Sequence, residues 1–106
     1  MQITNVVWTD VAIQSLKETN HFILETWNEL IAHEFLSSID KTIELLTQNP
    51  MLGISVKSTN YRRALLNRHI SLFYEVSTAE LKILLIWDNR QDPDKLIDRI
   101  KNTSNI

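Results

Sequence analysis

The sequence predicts a single α+β domain in which a two-helix hairpin packs on a small, mainly antiparallel four-stranded sheet, with a short C-terminal helix. Three observations lead to this prediction. Apolar residues recur at helical spacing between about residues 10 and 48. After Pro50 they alternate instead, as they do in β-strands. The length of 106 residues fits one domain, residues 1–106, and leaves no room for a second.

The first half of the chain predicts one short strand followed by two helices. We expect the strand to run from Ile3 to Trp8, where apolar and β-branched residues cluster. Thr9 or Asp10 offers a side-chain oxygen to cap the first helix, and Asn28 caps or bends the chain before the second. The second helix is expected to end at Asn49-Pro50, because the residue before a proline is pushed out of the helical region. The apolar residues at helical spacing are Ala12, Leu16, Phe22 or Ile23, Trp27, Ala32, Phe35 or Leu36, Ile39, Ile43 and Leu46.

The second half of the chain predicts three strands and a short helix. The first strand covers Tyr61–Leu66, and Asn67-Arg68 makes the tight turn that follows it. The last strand, Leu81–Trp87, is almost continuously apolar, so we expect it to be central and covered on both faces. A short helix is expected to begin at Asp92-Pro93-Asp94 and to end near Lys101. The middle strand places Ile70, Leu72, Tyr74 and Val76 on one face and Phe73 on the other.

Composition excludes several kinds of site. The chain has no Cys, so it forms neither a disulfide nor a thiolate metal site, and its one Gly rules out a glycine-rich phosphate loop. The N-terminus lacks the pattern of a signal peptide, and no apolar run approaches the roughly 20 residues that span a bilayer. We therefore expect a cytoplasmic protein without a metal or cofactor. We also expect Trp8, Trp27 and Trp87 to build the core.

Charge is divided unevenly between the two halves of the chain. Residues 1–50 contain 2 Lys and 7 Asp or Glu, whereas residues 51–106 contain 9 Lys or Arg and 6 Asp or Glu. Such an asymmetry can mark a surface for a polyanion or an acidic partner on the basic half. It can also reflect ordinary helices that carry solvated Glu, and the sequence leaves both interpretations open.

Four short motifs, taken in order, resemble one protein family. Trp8–Ala12 resembles the point where the family's first strand meets its first helix, and Leu45–Gly53 resembles its helix-ending Asn-Pro-x-x-Gly turn. Tyr61–Val76 resembles its arginine-bearing hairpin, and Ile86–Pro93 resembles the end of its last strand, with Arg90 just beyond. In their order and spacing they resemble the RelE/ParE toxins of bacterial type II toxin–antitoxin systems, which include plasmid stabilisation proteins, and the resemblance covers almost the whole chain.

The resemblance implies a cytoplasmic toxin that inhibits growth by binding an essential target, either DNA gyrase or one not yet assigned. A cognate antitoxin protein would neutralise it, and no membrane would be involved. Two alternatives stay open. One is a ribosome-dependent endoribonuclease that cleaves mRNA, and the other is an inert relative that keeps only antitoxin binding. Whether the protein is an enzyme is therefore undecided by the sequence.

RNA cleavage of this kind sets a chemical requirement for the site. It needs a base for the ribose 2′-hydroxyl, cations for the phosphate charge and an acid for the leaving oxygen. The resemblance makes Arg90 the best match to the family's cations, followed by Arg62 or Arg63, and a planar guanidinium suits phosphate oxygens. The catalytic candidates for a ribonuclease are Lys57, Arg62, Arg63, His69 and Arg90. The candidates for antitoxin or target binding are Arg62, Arg63, Arg68 and Arg90.

The sequence departs from the ribonuclease pattern after the last strand. Many cleaving members carry a Tyr or His close to the final Arg, but no aromatic residue follows Trp87 in this chain. Asp88 and Asp92 flank Arg90 and are expected to neutralise part of its charge. His69 can serve as an acid or base, or can simply be a surface residue of the hairpin. These features favour binding over RNA cleavage.

Overall fold

Two helices pack on one face of a five-stranded sheet in the computed structural model, which describes residues 2–92, 95–96 and 98–100. The elements are β1 (Asn5–Trp8), α1 (Asp10–Thr26), α2 (Glu29–Gln48), β2 (Ile54–Ser55), β3 (Tyr61–Leu65), β4 (Ile70–Ser77) and β5 (Glu80–Asp88). Residues 95–96 and 98–100 are helical and belong to the short C-terminal helix. The predicted α+β fold is confirmed.

The sheet has the strand order β1-β5-β4-β3-β2. Strand β1 runs parallel to β5, and the other neighbouring pairs are antiparallel. The predicted count of four strands is wrong by one, since Ile54–Ser55 pairs with Arg62 and Arg63. A strand of two residues is too short to produce an alternating pattern in the sequence.

Local signals set the helix ends as the sequence predicts. The Thr9 hydroxyl accepts a hydrogen bond from the Ala12 backbone N–H at 3.0 Å, and Asn28 Oδ1 accepts one from the Ile31 N–H at 2.9 Å. Helix α2 ends at Gln48, directly before Asn49-Pro50. The Thr9 and Asn28 side chains thus satisfy N–H groups that a helix leaves unpaired at its first turn.

The connection between β3 and β4 is longer than the predicted two-residue turn. It comprises residues 66–69, and the Leu66 N–H donates to the Ile70 carbonyl at 2.8 Å. Asn67 Oδ1 accepts hydrogen bonds from the backbone N–H groups of His69 (2.9 Å) and Ile70 (3.0 Å). The Asn67 side chain therefore supplies contacts that let a four-residue loop form without glycine.

Apolar side chains form a core on each face of the sheet. The helix-facing core contains Ile70, Leu72 and Tyr74 of β4, and Phe73 belongs to the core on the opposite face, as predicted. Ile100 of the C-terminal helix packs in that second core with Trp87. The helix-facing core also contains Ile3, Ala12, Ile23, Ala32, Phe35, Ile39, Leu46, Leu66, Leu81, Ile83 and Ile86.

A β-bulge explains why β5 looks continuously apolar. Phe73 pairs with Leu85 and Tyr74 pairs with Ile83, so Leu84 is an extra residue opposite this step of β4. Leu84 and Leu85 consequently both belong to the second core, while Ile83 belongs to the helix-facing one. The prediction that β5 is central and covered on both faces is confirmed.

The three tryptophans have different environments. Trp87 is 3% exposed and lies in the second core, and Trp8 packs against the helix-facing core. Trp27 is 65% exposed, so the prediction that it builds the core is wrong. It is the C-cap residue of α1, where the chain leaves the helix and the helical spacing no longer determines which way a side chain points.

Helix α1 completes the edge of β5 where β1 ends. Strand β1 pairs with β5 only as far as Ile83. Beyond that point, Thr9 Oγ1 donates to the Leu84 carbonyl at 3.3 Å, and Ser15 Oγ accepts from the Ile86 N–H at 3.0 Å. Ser15 Oγ also donates to the Ala12 carbonyl at 2.9 Å, and Ser15 is 2% exposed. A buried serine thus replaces a strand partner.

None of the helices in the described ranges combines the length and apolar character needed to span a membrane.

We predict that Ser15→Ala lowers the free energy of unfolding by about 1–3 kcal/mol, because it leaves the buried Ile86 N–H without an acceptor. The matched control is Ser38→Ala. Ser38 Oγ makes the same kind of bond, to the Phe35 carbonyl, and accepts no strand N–H among the described residues. The control should change stability by less than about 0.5 kcal/mol in urea denaturation. Equal losses in both variants would contradict the role of Ser15.

Candidate functional site

The structure divides the predicted site residues between two ends of the sheet. Lys57 precedes β3 and Arg62 lies near its start, whereas Arg68 and His69 lie in the loop where β3 has ended. Ile70 pairs with Asp88, and the Asn89 N–H donates to the His69 carbonyl at 2.6 Å, so the exit of β5 meets this loop. Arg90 therefore lies at the end of the sheet that carries Arg68 and His69, and Lys57 lies at the other end.

Arg62 and Arg63 leave β3 on opposite faces. Arg62 pairs with Tyr74, which belongs to the helix-facing core, and Arg63 pairs with Phe73, which belongs to the other core. Paired residues on neighbouring antiparallel strands share a face, and successive residues alternate. The sequence could not decide which arginine faces the helices, and the strand register assigns that position to Arg62.

The Arg62 guanidinium is part of the turn that follows α2. Its Nη1 donates to the Gly53 carbonyl at 2.7 Å and to the Met51 carbonyl at 3.4 Å. The buried Tyr74 hydroxyl accepts from the Gly53 N–H at 2.9 Å and donates to the Pro50 carbonyl at 2.9 Å. Burial raises the pKa of Tyr74, and the Gly53 hydrogen bond and the Arg62 charge oppose this increase. Arg62 and Tyr74 together fasten the Asn-Pro-x-x-Gly turn to the sheet.

Gly53 is required in this turn because of close contact. A β-carbon at this position would lie 2.5 Å from the Tyr74 hydroxyl oxygen and 2.9 Å from the Arg63 carbonyl oxygen. Both distances are well inside van der Waals contact. A side chain here would therefore displace the hydroxyl that holds the turn.

Arg90 forms a bidentate ion pair with Asp88. Its Nε donates to Asp88 Oδ1 at 3.0 Å, its Nη2 donates to Oδ2 at 2.6 Å, and its backbone N–H donates to Oδ1 at 2.9 Å. The Asp88 side chain is 16% exposed and that of Arg90 is 56% exposed. Hydrogen bonding to the Arg90 side chain, more than the nearby charges, lowers the pKa of Asp88 and outweighs the effect of burial. The guanidinium is therefore already engaged by a carboxylate of the same chain.

His69 is exposed and contributes mainly its backbone to the structure. Its N–H donates to Asn67 and its carbonyl accepts from Asn89. A positive charge on His69 lowers the pKa of Asp88, as the last of several causes. Within the described part of the chain, the ring itself forms no hydrogen bond or ion pair.

Three shallow grooves adjoin these residues, and the one beside Arg62 and Glu75 has a volume of about 430 Å³. Of the other two, the first has a volume of about 400 Å³ and is lined by Thr19 and Phe22 of α1, by Trp87 and by Arg90. An ion pair between Arg99 Nη1 and Glu18 Oε2, 3.1 Å apart, joins the C-terminal helix to α1 beside this groove. The charged side chains that line the groove are therefore paired with each other.

Across the described ranges, no group of three or more His, Asp or Glu side chains is arranged to hold a metal.

The second groove, here called the edge groove, has a volume of about 220 Å³ and lies between the end of α2 and strands β2 and β3. Four of its apolar side chains are exposed: Leu45, Leu52, Ile54 and Leu65. This groove was not predicted from the sequence. Its only signal was the presence of Leu52 and Ile54 in a segment that otherwise looks like a turn. Exposed apolar clusters of this kind often mark interaction sites.

Only some of the candidate cations remain available to a partner. Among the residues that the structure describes, Arg63 and Arg68 form no side-chain hydrogen bond or ion pair, and Lys57 lies exposed in the turn before β3. Arg62 and Arg90 are held by the backbone of the turn and by Asp88, respectively. The arrangement can bind an anionic surface through separated cations, and it does not gather them around His69.

We predict that Tyr74→Phe lowers the free energy of unfolding by about 1–3 kcal/mol, because two buried backbone groups of the turn lose their partner. The change removes only the hydroxyl and leaves the ring packed in the core. Urea denaturation should show a lower midpoint with an unchanged slope. A change below about 0.5 kcal/mol would mean that water replaces the hydroxyl without loss.

We predict that Arg90→Ala raises the pKa of Asp88 towards its ordinary value. A carboxyl whose pKa is lowered by folding stabilises the protein above its unfolded-state pKa, and this contribution disappears as the pH falls through the folded-state pKa. The variant should therefore have a lower free energy of unfolding at neutral pH, and that free energy should decrease less as the pH is lowered. An NMR titration of the Asp88 carboxyl measures the shift directly, with Arg68→Ala as the control. An unchanged pKa in the Arg90 variant would contradict the ion pair.

Comparison with known proteins gives the family. The model for the ParE toxin of the type II toxin–antitoxin system parDE matches residues 6–93. A chain of the chromosomal ParDE toxin–antitoxin system from P. aeruginosa superposes with a TM-score of 0.69 and 21% identity, covering 81% of this chain and 96% of that one. A YoeB/ParE toxin from Agrobacterium tumefaciens gives a TM-score of 0.58 and 15% identity, covering 80% and 98%. A search of curated protein sequences finds no match. Because the family model spans most of the sequence, and the fold agrees with these structures, this chain belongs to the ParE toxin family of type II toxin–antitoxin systems.

Proposed function

We propose that this ParE-family protein inhibits growth by binding an essential target in the cytoplasm, with DNA gyrase as the first candidate, and that a cognate antitoxin neutralises it. The observation that carries this proposal is the state of Arg90. Its guanidinium is bidentate to Asp88, so it is a poor candidate for binding a scissile phosphate. A role in plasmid stabilisation would follow if the toxin–antitoxin pair is encoded on a plasmid.

The separation of the other candidates supports binding over catalysis. Lys57 lies at the opposite end of the sheet from His69 and Arg90, and Arg62 pairs with Tyr74 in the middle of β4. Cleavage requires a base, an acid and phosphate-binding cations around one ribose–phosphate unit. Candidates that are spread along the sheet in this way do not form such an arrangement. Binding to a protein target requires no such assembly.

The antitoxin is proposed to dock on the arginine-bearing hairpin and in the edge groove. Arg63 and Arg68, which form no ion pair within the described ranges, offer cations to an acidic segment, and Leu45, Leu52 and Ile54 offer exposed apolar surface. Strand β2 is the last strand of the sheet, so its outer edge can accept an extended chain. A disordered acidic segment that folds as it binds would use all three features.

A ribosome-dependent ribonuclease is the second candidate. The observation in its favour is that His69, an acid–base group, lies at the same end of the sheet as Arg90. For cleavage, RNA phosphate would have to displace Asp88 from Arg90. An inert relative that retains antitoxin binding is the third candidate, and the same experiment separates all three.

The test compares two activities of the purified protein: inhibition of DNA supercoiling by gyrase and codon-specific cleavage of mRNA on ribosomes. We expect inhibition of gyrase without cleavage, and we expect His69→Ala to keep most of the toxicity. Arg90→Ala should weaken inhibition if Arg90 contacts the target. Lys41→Ala, an exposed lysine of α2, is the matched control for loss of a surface cation.

Two outcomes would contradict this proposal. Strong mRNA cleavage by the wild type, reduced about 100- to 1,000-fold in Arg90→Ala, would make Arg90 a catalytic residue. In the second outcome, the protein neither inhibits growth nor shows either activity, but it still binds the antitoxin encoded beside its gene. That result would identify an inert relative.

A further inference from the structure

We propose that the turn between α1 and α2 is a docking surface for a basic amphipathic segment of a second protein. This surface, here called the hairpin tip, comprises residues 21–36. It is separate from the arginine-bearing hairpin and the edge groove, and the proposal does not depend on the identity of the toxin's target. Two independent properties carry it: exposed apolar side chains, and glutamates in a segment that contains no Lys or Arg.

The hairpin tip exposes more large apolar side chains than a monomer needs there. Within residues 21–36, only Ile23, Ala32 and Phe35 are buried. Trp27, the C-cap residue of α1, is 65% exposed, and Leu30, in the first turn of α2, is 64% exposed. Single exposed apolar residues are common on proteins, but several within ten residues often mark an interaction surface. The exposed residues near the turn are Leu24, Trp27, Leu30 and Ile31, and Phe22 is exposed in the groove that Trp87 and Arg90 also line.

The same segment has no Lys or Arg. None occurs between Lys17 and Lys41, while five carboxylates do: Glu18, Glu25, Glu29, Glu34 and Asp40. Glu18 is paired with Arg99, and Glu25 has only the exposed His21 at 3.1 Å. The last turn of α1 contains no basic residue, so the partial negative charge of its final carbonyls adds to the field. The hairpin tip is therefore negative as well as apolar.

This combination selects one kind of partner. Trp27 can insert as an anchor, because a large aromatic side chain buries much area for little loss of conformational entropy. The glutamates around it favour Lys and Arg on the partner and repel acidic segments. The acidic antitoxin segment proposed above would be repelled here, as would nucleic acid and anionic lipid. A second copy docking tip to tip would place like charges together.

The test uses two synthetic helical peptides of about four turns, one built from Leu and Lys and one with Glu in place of every Lys. We expect the Leu/Lys peptide to bind the full-length protein and to perturb NMR signals of residues 21–36. The Leu/Glu peptide should not bind. Affinity should fall as the salt concentration rises from about 0.05 to 0.3 M, because the charges are exposed.

Two variants separate the apolar and electrostatic contributions. One double variant combines Trp27→Ala with Leu30→Ala, and the other combines Glu25→Lys with Glu34→Lys. Each should lower the affinity for the Leu/Lys peptide by about tenfold or more. The matched controls are Ile13→Ala, an exposed isoleucine near the other end of α1, and Glu44→Lys, an exposed glutamate near the other end of α2. Both should bind as the wild type does. All altered side chains are exposed, and thermal unfolding checks that each variant folds.

Several results would overturn the proposal. They are the absence of binding, equal binding of both peptides, signal changes confined to the edge groove, and wild-type affinity in either double variant. Binding to anionic vesicles that matches peptide binding would instead indicate a lipid surface. Dimerisation of the free protein that is lost in the Trp27/Leu30 variant would show that a second copy covers the hairpin tip.

Discussion

Burial of β5 on both faces, with its backbone satisfied along both edges, is the constraint on which the rest of the structure depends. Strand β4 pairs along one edge over the full length of β5. The other edge is shared, because β1 ends beside Ile83 and the Ser15 hydroxyl of α1 takes the next buried N–H. A buried N–H without an acceptor is costly, so this contact determines where α1 lies on the sheet. The second face is covered by the C-terminal helix through Ile100.

The position of β5 also determines the chemistry at its exit. Asp88 is the last residue of the strand and pairs with Ile70, which brings Arg90 to the loop that contains His69. The bidentate contact with Asp88 then holds the guanidinium before any partner arrives. The uneven charge of the sequence becomes a division in space: the helical hairpin is acidic, whereas Arg63 of β3 and Arg68 in the loop after it form no ion pair among the described residues. The protein therefore presents surfaces of opposite sign.

Much of the fold follows from signals that act over a few residues. Thr9 and Asn28 cap the helices through their own next turn, and Pro50 ends α2 through its ring. The alternation in β4 predicts which side chains enter each core, because successive residues in a strand point to opposite faces. These features are predictable since the interacting groups are neighbours in the sequence. The charge asymmetry and the order of the family motifs are equally visible there.

The tertiary structure alone decided features that join residues distant in the sequence. The extra residue at Leu84 depends on the register of two strands, and the faces of Arg62 and Arg63 depend on which residues of β4 lie opposite. Trp27 has the apolar character of a core residue, yet the chain leaves α1 at this position and points it outward. By itself the sequence determined the two long helices, four of the five strands, their order and the candidate cations. Which cations are free and which are paired required the packed structure, because pairing depends on distances that local patterns do not specify.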